Sequence, residues 1–335
     1  MVGRFILALV RHNDLAVYDR LLSEGLAVLA PEAVDQALPS LNIAFLNMMP
    51  DAALHATERQ FFRLLGSNQN INCYIHPFRL DVLARSSTAQ HYLQTHYQPL
   101  NEINQQPLDA LVVTGANITQ ATLSHELFWS DLDKLLNWSK LHLKSTLCSC
   151  LATHAAMQVY YAVERRHMGD KCWGVFEHHL LQPQHALVKG VAANIFMAHS
   201  RYNDVSAEDF ESNNVEPIIC SPRAGVQLAA EKDLSVVYFQ GHPEYDDISL
   251  LKEYKREVMR YLSDERKDYP PVPENYFAPE AMLSAERYKN TLLASPKAAQ
   301  LLAQFPEAVL QRGIVNNWQV TAQQVFSNWL DLLIE

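Results

Sequence analysis

Short, unbroken apolar runs alternate with amphipathic helical patterns along the first half of this chain, and that alternation restricts the fold more than any single residue does. The runs are LNIAFLNM (41–48), INCYIHPF (71–78), DALVVTGA (109–116) and STLCSC (145–150). The segments ATERQFFRLLGS (56–67), FWSDLDKLLNWSKLHL (128–143) and LATHAAMQVYYAVERR (151–166) instead space their apolar residues as helices do. A strand covered on both faces reads as a continuous apolar run, and helices between such strands give a parallel sheet. Thr57 is the expected cap of the first of these helices.

The second half changes character. KCWGVFEHHLL (171–181), NIFMAHSRYNDV (194–205), VEPIICSP (215–222), GVQLAAE (225–231) and LSVVYFQGH (234–242) follow one another with few helices between them. They read as mixed or antiparallel strands completing the sheet, before a helix over 248–267. Residues 11–36 look helical and peripheral. The expected organisation is therefore an N-terminal helical segment (1–40), an α/β domain (41–267), and a proline-rich break with a helical C-terminal extension (268–335).

Composition narrows the function. Of 335 residues, 27 are Lys or Arg and 37 are Asp or Glu, giving a net charge of -10. A general nucleic-acid binder needs an excess of basic charge to neutralise phosphates, so nucleic acid is not expected as a partner. No two of the ten glycines are spaced G-x-G, which excludes the dinucleotide fingerprint. Gly169 and Gly174 have the outer spacing of a phosphate loop, but Val175 and Phe176 follow instead of Lys-Ser/Thr. No window approaches the roughly 18 to 20 apolar residues that span a bilayer. The N-terminal apolar stretch is short for a signal peptide and no small-residue cleavage site follows it. The five cysteines, odd in number and irregular in spacing, read as reduced thiols of a cytoplasmic protein.

Two segments could carry covalent chemistry. In STLCSCLATHAAMQ an apolar strand runs through Cys148-Ser149-Cys150 straight into a helix. Such a junction exposes a side chain at the carboxyl end of the sheet, and the helix N-terminus behind it lowers a thiol pKa and offers N–H groups to an oxyanion. Cys150, immediately before the helix, is better placed than Cys148. A free cysteine more often serves as a small buried hydrophobe, and the segment alone favours that reading over a nucleophile. In QGHPEYDD (240–247), His242 and Glu244 follow a strand end. They could act as a general base and its orienting acid, or could simply build a turn and cap the next helix. AHSRYND (198–204) supplies His199, Ser200 and Arg201 for polar contacts at another strand end. Glu253 and Arg256, three apart on a helix, could pair with each other, or Arg256 could grip a carboxylate. His178-His179 lacks a third ligand at a metal-site spacing, so no metal is expected.

Taken together, LNMMP, ERQFFRLL, VVTGA, WSKLHLKSTLCSC, GVFEHHLL, AHSRY and GHPEYD resemble the homoserine O-acyltransferases of the succinyltransferase (MetA) type, in order and in spacing. The resemblance runs from about Leu41 to Arg256 and resumes at Asn275-Tyr276-Phe277 and Asn328-Trp329-Leu330. It implies a flavodoxin-like α/β fold related to class I glutamine amidotransferases. It also implies a cysteine nucleophile at Cys150, a general base at His242, its partner at Glu244, and substrate contacts at Lys171, Ser200 and Arg256. The implied reaction, in methionine biosynthesis, passes an acyl group from acyl-CoA to the cysteine and then to the homoserine hydroxyl. Acyl-CoA would be a co-substrate, with no further cofactor, and family precedent suggests a homodimer.

Acyl choice, by the same resemblance, turns on the position of Thr119, where Gly accompanies succinyl and Glu accompanies acetyl transfer. An uncharged Thr favours succinyl over acetyl. The chain departs from the family pattern at Asp51-Ala52-Ala53, where lysines are usual, at Leu151 for Trp, at His154 for Gln, and in its longer tail. An acyltransferase for another hydroxy amino acid, a hydrolase or amidotransferase with the same triad, and a non-catalytic binding protein of this fold are the alternatives.

Overall fold

A computed structural model describes residues 6–294 and 299–335. In chain order the elements are β1 (Ile6–Val10), α1 (Ala16–Ser23), β2 (Ala27–Leu29), β3 (Ser40–Leu46), α2 (Asp51–Leu65), β4 (Asn72–Arg79), α3 (Ser87–His96) and β5 (Gln98–Pro99). There follow β6 (Ala110–Val113), α4 (Trp129–His142), β7 (Ser145–Ser149), α5 (Leu151–Tyr161), β8 (Arg166–Leu180), β9 (Ile195–Asp204) and α6 (Ala207–Glu211). The chain then forms β10 (Val215–Ser221), β11 (Gly225–Glu231), β12 (Val236–Phe239), α7 (Ser249–Leu262), α8 (Pro279–Leu293), α9 (Glu307–Arg312) and α10 (Gln319–Ile334).

The strands lie in one sheet, ordered β2-β1-β4-β3-β6-β7-β12-β11-β10-β8-β9, with β5 beside β4. From β2 to β12 every neighbouring pair is parallel, and from β12 to β9 every pair is antiparallel. This is the mostly parallel α/β sheet with added mixed strands that the sequence implies. Side chains alternate across it as the strand period requires. Ile43, Phe45 and Leu147 enter one hydrophobic core, while Ala44, Leu46 and Cys148 enter the other, under α4 and α5. The four parallel strands β3, β6, β7 and β12 therefore present their carboxyl ends side by side, where open α/β sheets place ligands.

Several expectations are corrected. The 1–40 segment is not simply helical: β1 and β2 extend the parallel sheet, and the one α-helix among its described residues is Ala16–Ser23. FILALV is apolar and too short to sustain a helical period, and Leu9 and Val10 are fully buried on pairing. Residues 1–5 lie outside the described residues. Thr57 caps nothing. Helix α2 starts at Asp51 with Pro50 before it, so Thr57 is buried in its middle. The helix expected over 151–166 stops at Tyr161, because Ala162 takes a left-handed conformation at φ 56°.

The C-terminal region packs on the same core as the sheet. Phe326 of α10 stacks on Phe239 of β12, with ring centroids 5.7 Å apart, and lies 6.4 Å from Phe61 of α2. Trp329 Nε1 donates to Ser145 Oγ at 3.0 Å, and Lys144 Nζ donates to the Leu333 carbonyl at 2.6 Å. Trp318 Nε1 donates to the Tyr245 carbonyl at 3.0 Å. Upstream of these helices, Glu274 exchanges backbone hydrogen bonds with Trp173 and Val175 at 2.9 Å each. Gly174, at φ 147°, makes that approach possible, since a Cβ there would drive into the Glu274 backbone.

Candidate active site

Cys150 stands between β7 and α5 with φ 53° and ψ -110°, a conformation that strains any residue with a Cβ. Its N–H donates to the Phe239 carbonyl at 2.7 Å, which ties the bend to the end of β12. The bend lifts Cys150 out of the alternation that buries Cys148 completely, and leaves Cys150 partly accessible. Burial pushes the Cys148 thiol pKa far up, so Cys148 is a poor nucleophile. Gly115 lies alongside: a Cβ built on it would stand 3.6 Å from the Cys150 Cβ and 3.9 Å from the Leu151 nitrogen. The Met48 N–H donates to Thr114 Oγ1 at 2.9 Å, so the loops LNMMP and VVTGA close over the nucleophile together.

His242 and Glu244 sit on the turn after β12. Glu244 Oε1 accepts from His242 Nδ1 at 2.8 Å, and both side chains are almost fully enclosed. Burial alone would lower the imidazole pKa. The Glu244 carboxylate and the Cys150 sulfur, both against the ring, instead hold it well above the ordinary histidine value. The turn is fixed from three sides. The His242 N–H donates to the Ala198 carbonyl at 2.8 Å. Tyr245 stacks on the imidazole with centroids 4.1 Å apart. Asp246 accepts from Arg59 and Gln60 and, at 2.5 Å, from Arg63, all three on α2. The segments ERQFFRLL and GHPEYD, far apart in sequence, are thus two halves of one support.

Of the His199-Ser200-Arg201 trio, only Ser200 reaches the site. The His199 ring is buried, stacks on His178, and donates from Nε2 to its Nε2 at 3.0 Å, because His178 Nδ1–H is given to the Phe176 carbonyl at 2.8 Å. It fills the space that a Cβ at Gly241 would need, 2.8 Å away. Arg201 is bound to Asp204, the Asn203 carbonyl and the Ala224 carbonyl.

Ser200 and Lys171 meet at a residue read from sequence only as a possible partner of Arg256. Glu253 Oε2 accepts from Ser200 Oγ at 2.7 Å, Trp173 Nε1 at 2.9 Å and Lys171 Nζ at 3.3 Å. Its Oε1 accepts from Tyr245 Oη at 2.7 Å. Burial works against this carboxylate, yet Lys171, Tyr245 and Ser200 outweigh it and hold its pKa below the ordinary value. Lys171 also lies 4.1 Å above the Trp173 ring, and its own pKa is lowered by burial. Arg256, one turn further along α7, is exposed and makes no ion pair among the described residues; its charge is felt at Lys171. Since Tyr245 touches both His242 and Glu253, the triad and this acid-centred cluster form one continuous site.

The departures noted in the sequence acquire structural roles. Asp51 accepts from the Ser86 N–H at 2.8 Å and Arg85 at 3.3 Å, anchoring the start of α2. His154 is fully buried, donates to Gln240 Oε1 at 3.1 Å, and is kept neutral by a pKa lowered by burial to about 3. Thr119 does not touch the triad. Its N–H and hydroxyl both donate to Glu126, at 2.6 and 3.1 Å, and the Gln120 N–H joins them at 2.7 Å.

The homoserine O-succinyltransferase family model matches residues 8–335. The homoserine O-succinyltransferase of Methylococcus capsulatus is 46% identical over 96% of this chain and 92% of its own length. That of Nitrosococcus oceani is 45% identical over 96% of this chain and 91% of its own. A glutamine amidotransferase structure from Methylobacillus flagellatus covers 88% of this chain and 95% of its own at a TM-score of 0.50 and 14% identity, a likeness of fold. A match across nearly the whole chain, at this identity, shows that the protein belongs to the homoserine O-succinyltransferase family.

Proposed function

We propose that the protein transfers a succinyl group from succinyl-CoA to the hydroxyl of L-homoserine through a thioester on Cys150, a step of methionine biosynthesis. The observation that carries this reading is the strained Cys150 held against the His242–Glu244 pair at the carboxyl end of the sheet. In the first half-reaction the Cys150 sulfur attacks the thioester carbonyl, the carbon–sulfur bond to CoA breaks, and the His242 imidazolium protonates the departing thiolate. In the second, neutral His242 takes the homoserine hydroxyl proton as the oxygen attacks the acyl-cysteine, and returns a proton to Cys150 as it leaves. Glu244 holds the ring with Nε2 toward the reacting atoms. The N–H groups of Leu151, in the first turn of α5, and of Gly115 suit the oxyanion of each tetrahedral intermediate.

Arg256 suits the homoserine carboxylate, and Lys171 and Ser200 suit its remaining polar contacts, with Glu253 holding both of them in place. Thr119, by fastening its loop to Glu126, shapes the wall beside the acyl group. Acyl-CoA is the only co-substrate this chemistry needs. The test incubates the protein with succinyl-CoA or acetyl-CoA and a panel of hydroxy amino acids, following free CoA. Release that depends on homoserine, prefers succinyl-CoA and vanishes in Cys150→Ala is the expected result. Release independent of any amino acid, or none with either donor, overturns the proposal.

A further inference from the structure

Beyond Cys150, the loop that starts at Gly115 runs on through Thr119 and bounds a cavity of about 360 Å³. The cavity lies between this loop (Ile118, Gln120, Leu123), Gln158 of α5, and the segment after α5 that carries Arg165. The left-handed Ala162 turns that segment back over the end of α5, and this places Arg165 in the wall. Most arginines in this structure are committed to carboxylates; Arg59, Arg63, Arg201 and Arg266 are examples. Arg165 is not. It is only partly exposed, makes no ion pair among the described residues, and gives one long hydrogen bond of 3.5 Å to the Ala121 carbonyl. The nearby Glu126 is already held by the donors of Thr119 and Gln120. Glu164, also in the cavity wall, is turned to solvent. Glu126 and Cys150 both lie near enough to act electrostatically on Arg165.

A half-enclosed guanidinium with open donors, in a cavity walled by the loop whose Gly115 end lies against Cys150, is built for a planar anion. We propose that Arg165 and this cavity form the subsite for the carboxylate at the far end of the transferred acyl group. This inference rests on the acyl-transfer reading. A succinyl group on Cys150 carries its terminal oxygens roughly 6 Å from the sulfur by ordinary bond lengths, so it would lie along the Gly115–Thr119 loop toward Arg165. Homoserine's own carboxylate is left to Arg256, which does not line this cavity.

The test compares succinyl-CoA with butyryl-CoA, which has the same number of acyl carbons and no distal charge. In Arg165→Met the succinyl-to-butyryl ratio of kcat/KM falls about ten- to a hundred-fold, the worth of a charge-assisted hydrogen bond. Arg165→Lys recovers part of that ratio. Equal losses for both donors, together with weaker inhibition by free CoA, would instead assign Arg165 to a CoA phosphate and overturn the proposal. An unchanged ratio overturns it too. Calorimetric binding of succinate against butyrate, to native protein and Arg165→Met, decides the subsite independently of turnover. Native protein that binds succinate through Arg165 but transfers no acyl group would refute the proposed function and leave the subsite standing.

Discussion

Replacing Glu253 by glutamine keeps the shape of the acid-centred cluster and deletes its charge. The amide carbonyl can stay where Oε2 accepts from Trp173, Ser200 and Lys171, and the amide nitrogen can turn to Tyr245, whose hydroxyl then accepts. What is lost is the ion pair with Lys171, 3.3 Å away, between side chains only 17% and 13% exposed. At an effective dielectric of 20, opposite charges at that separation attract by about 5 kcal/mol. Relief of the carboxylate's burial penalty offsets about half of this, leaving about 2–3 kcal/mol of lost stability. Denaturant unfolding of the native protein, Glu253→Gln, Lys171→Met and the double variant measures the pair directly. The double variant is expected to be more stable than the two single losses imply, by about 2 kcal/mol. Kinetically, the homoserine KM rises in Glu253→Gln, while acylation of Cys150 in the absence of homoserine changes less. A coupling under about 0.5 kcal/mol would show that the pair carries no energy and would refute the reasoning.

Cys150→Ala and Cys150→Ser are expected to lose turnover and the acyl adduct seen by intact mass, whereas Cys148→Ala keeps both; a dead Cys148→Ala with an active Cys150→Ala reverses the assignment. Glu244→Gln withdraws a charge that raises the His242 pKa, so the acid limb of the homoserine-dependent step moves to lower pH as kcat falls, and an unmoved limb counts against the triad. The same shift has a stability signature. The folded pKa of His242 lies above its unfolded value near 6.5, so its stabilisation is complete below about pH 6.5 and is lost as pH rises through the folded value. The stability gap between native protein and Glu244→Gln is therefore widest in acid and narrows with rising pH. Thr119→Glu sets a second carboxylate beside Glu126 and the acyl path, and is expected to lower succinyl-CoA use several-fold or more relative to acetyl-CoA; equal losses would remove Thr119 from acyl selection.

The parts of this fold legible in the sequence are those whose signal is local. Strands β3, β6 and β7 announce themselves because both faces are buried, so that LNIAFL, ALVV and STLCS carry almost no exposed position. Helix α3 escaped notice because only Ala89 and Leu93 of its ten residues are buried, leaving no apolar stripe to read. Strand β1, between the short edge strand β2 and β4, is not legible because its five residues look like any short apolar run. In the site, Cys150, His242 and Glu244 are visible as chemically apt residues at strand ends. Glu253 is not, because its four partners arrive from β8, β9 and the turn after β12, and no spacing along the chain records that convergence. Tyr245 likewise reads as a mere aromatic after a turn until its ring is found on His242.

The hydrogen bonds from Trp318 to Tyr245, from Trp329 to Ser145 and from Lys144 to Leu333 set an order of events during synthesis. Tyr245 braces the general base, and Ser145 begins the strand that ends at the nucleophile. While the stretch from 318 to 333 is still inside the ribosome, neither brace has its partner, and the apolar face that receives Phe326 lies open to water. A nascent chain can lay down its parallel strands one after another as they emerge. The segments that carry its thiol and imidazole gain the hydrogen bonds to Ser145 and Tyr245 only when residues 318–333 dock. A chain cut before residue 318 would keep Cys150, His242 and Glu244 and lack the Trp318 and Trp329 hydrogen bonds that brace the segments carrying them.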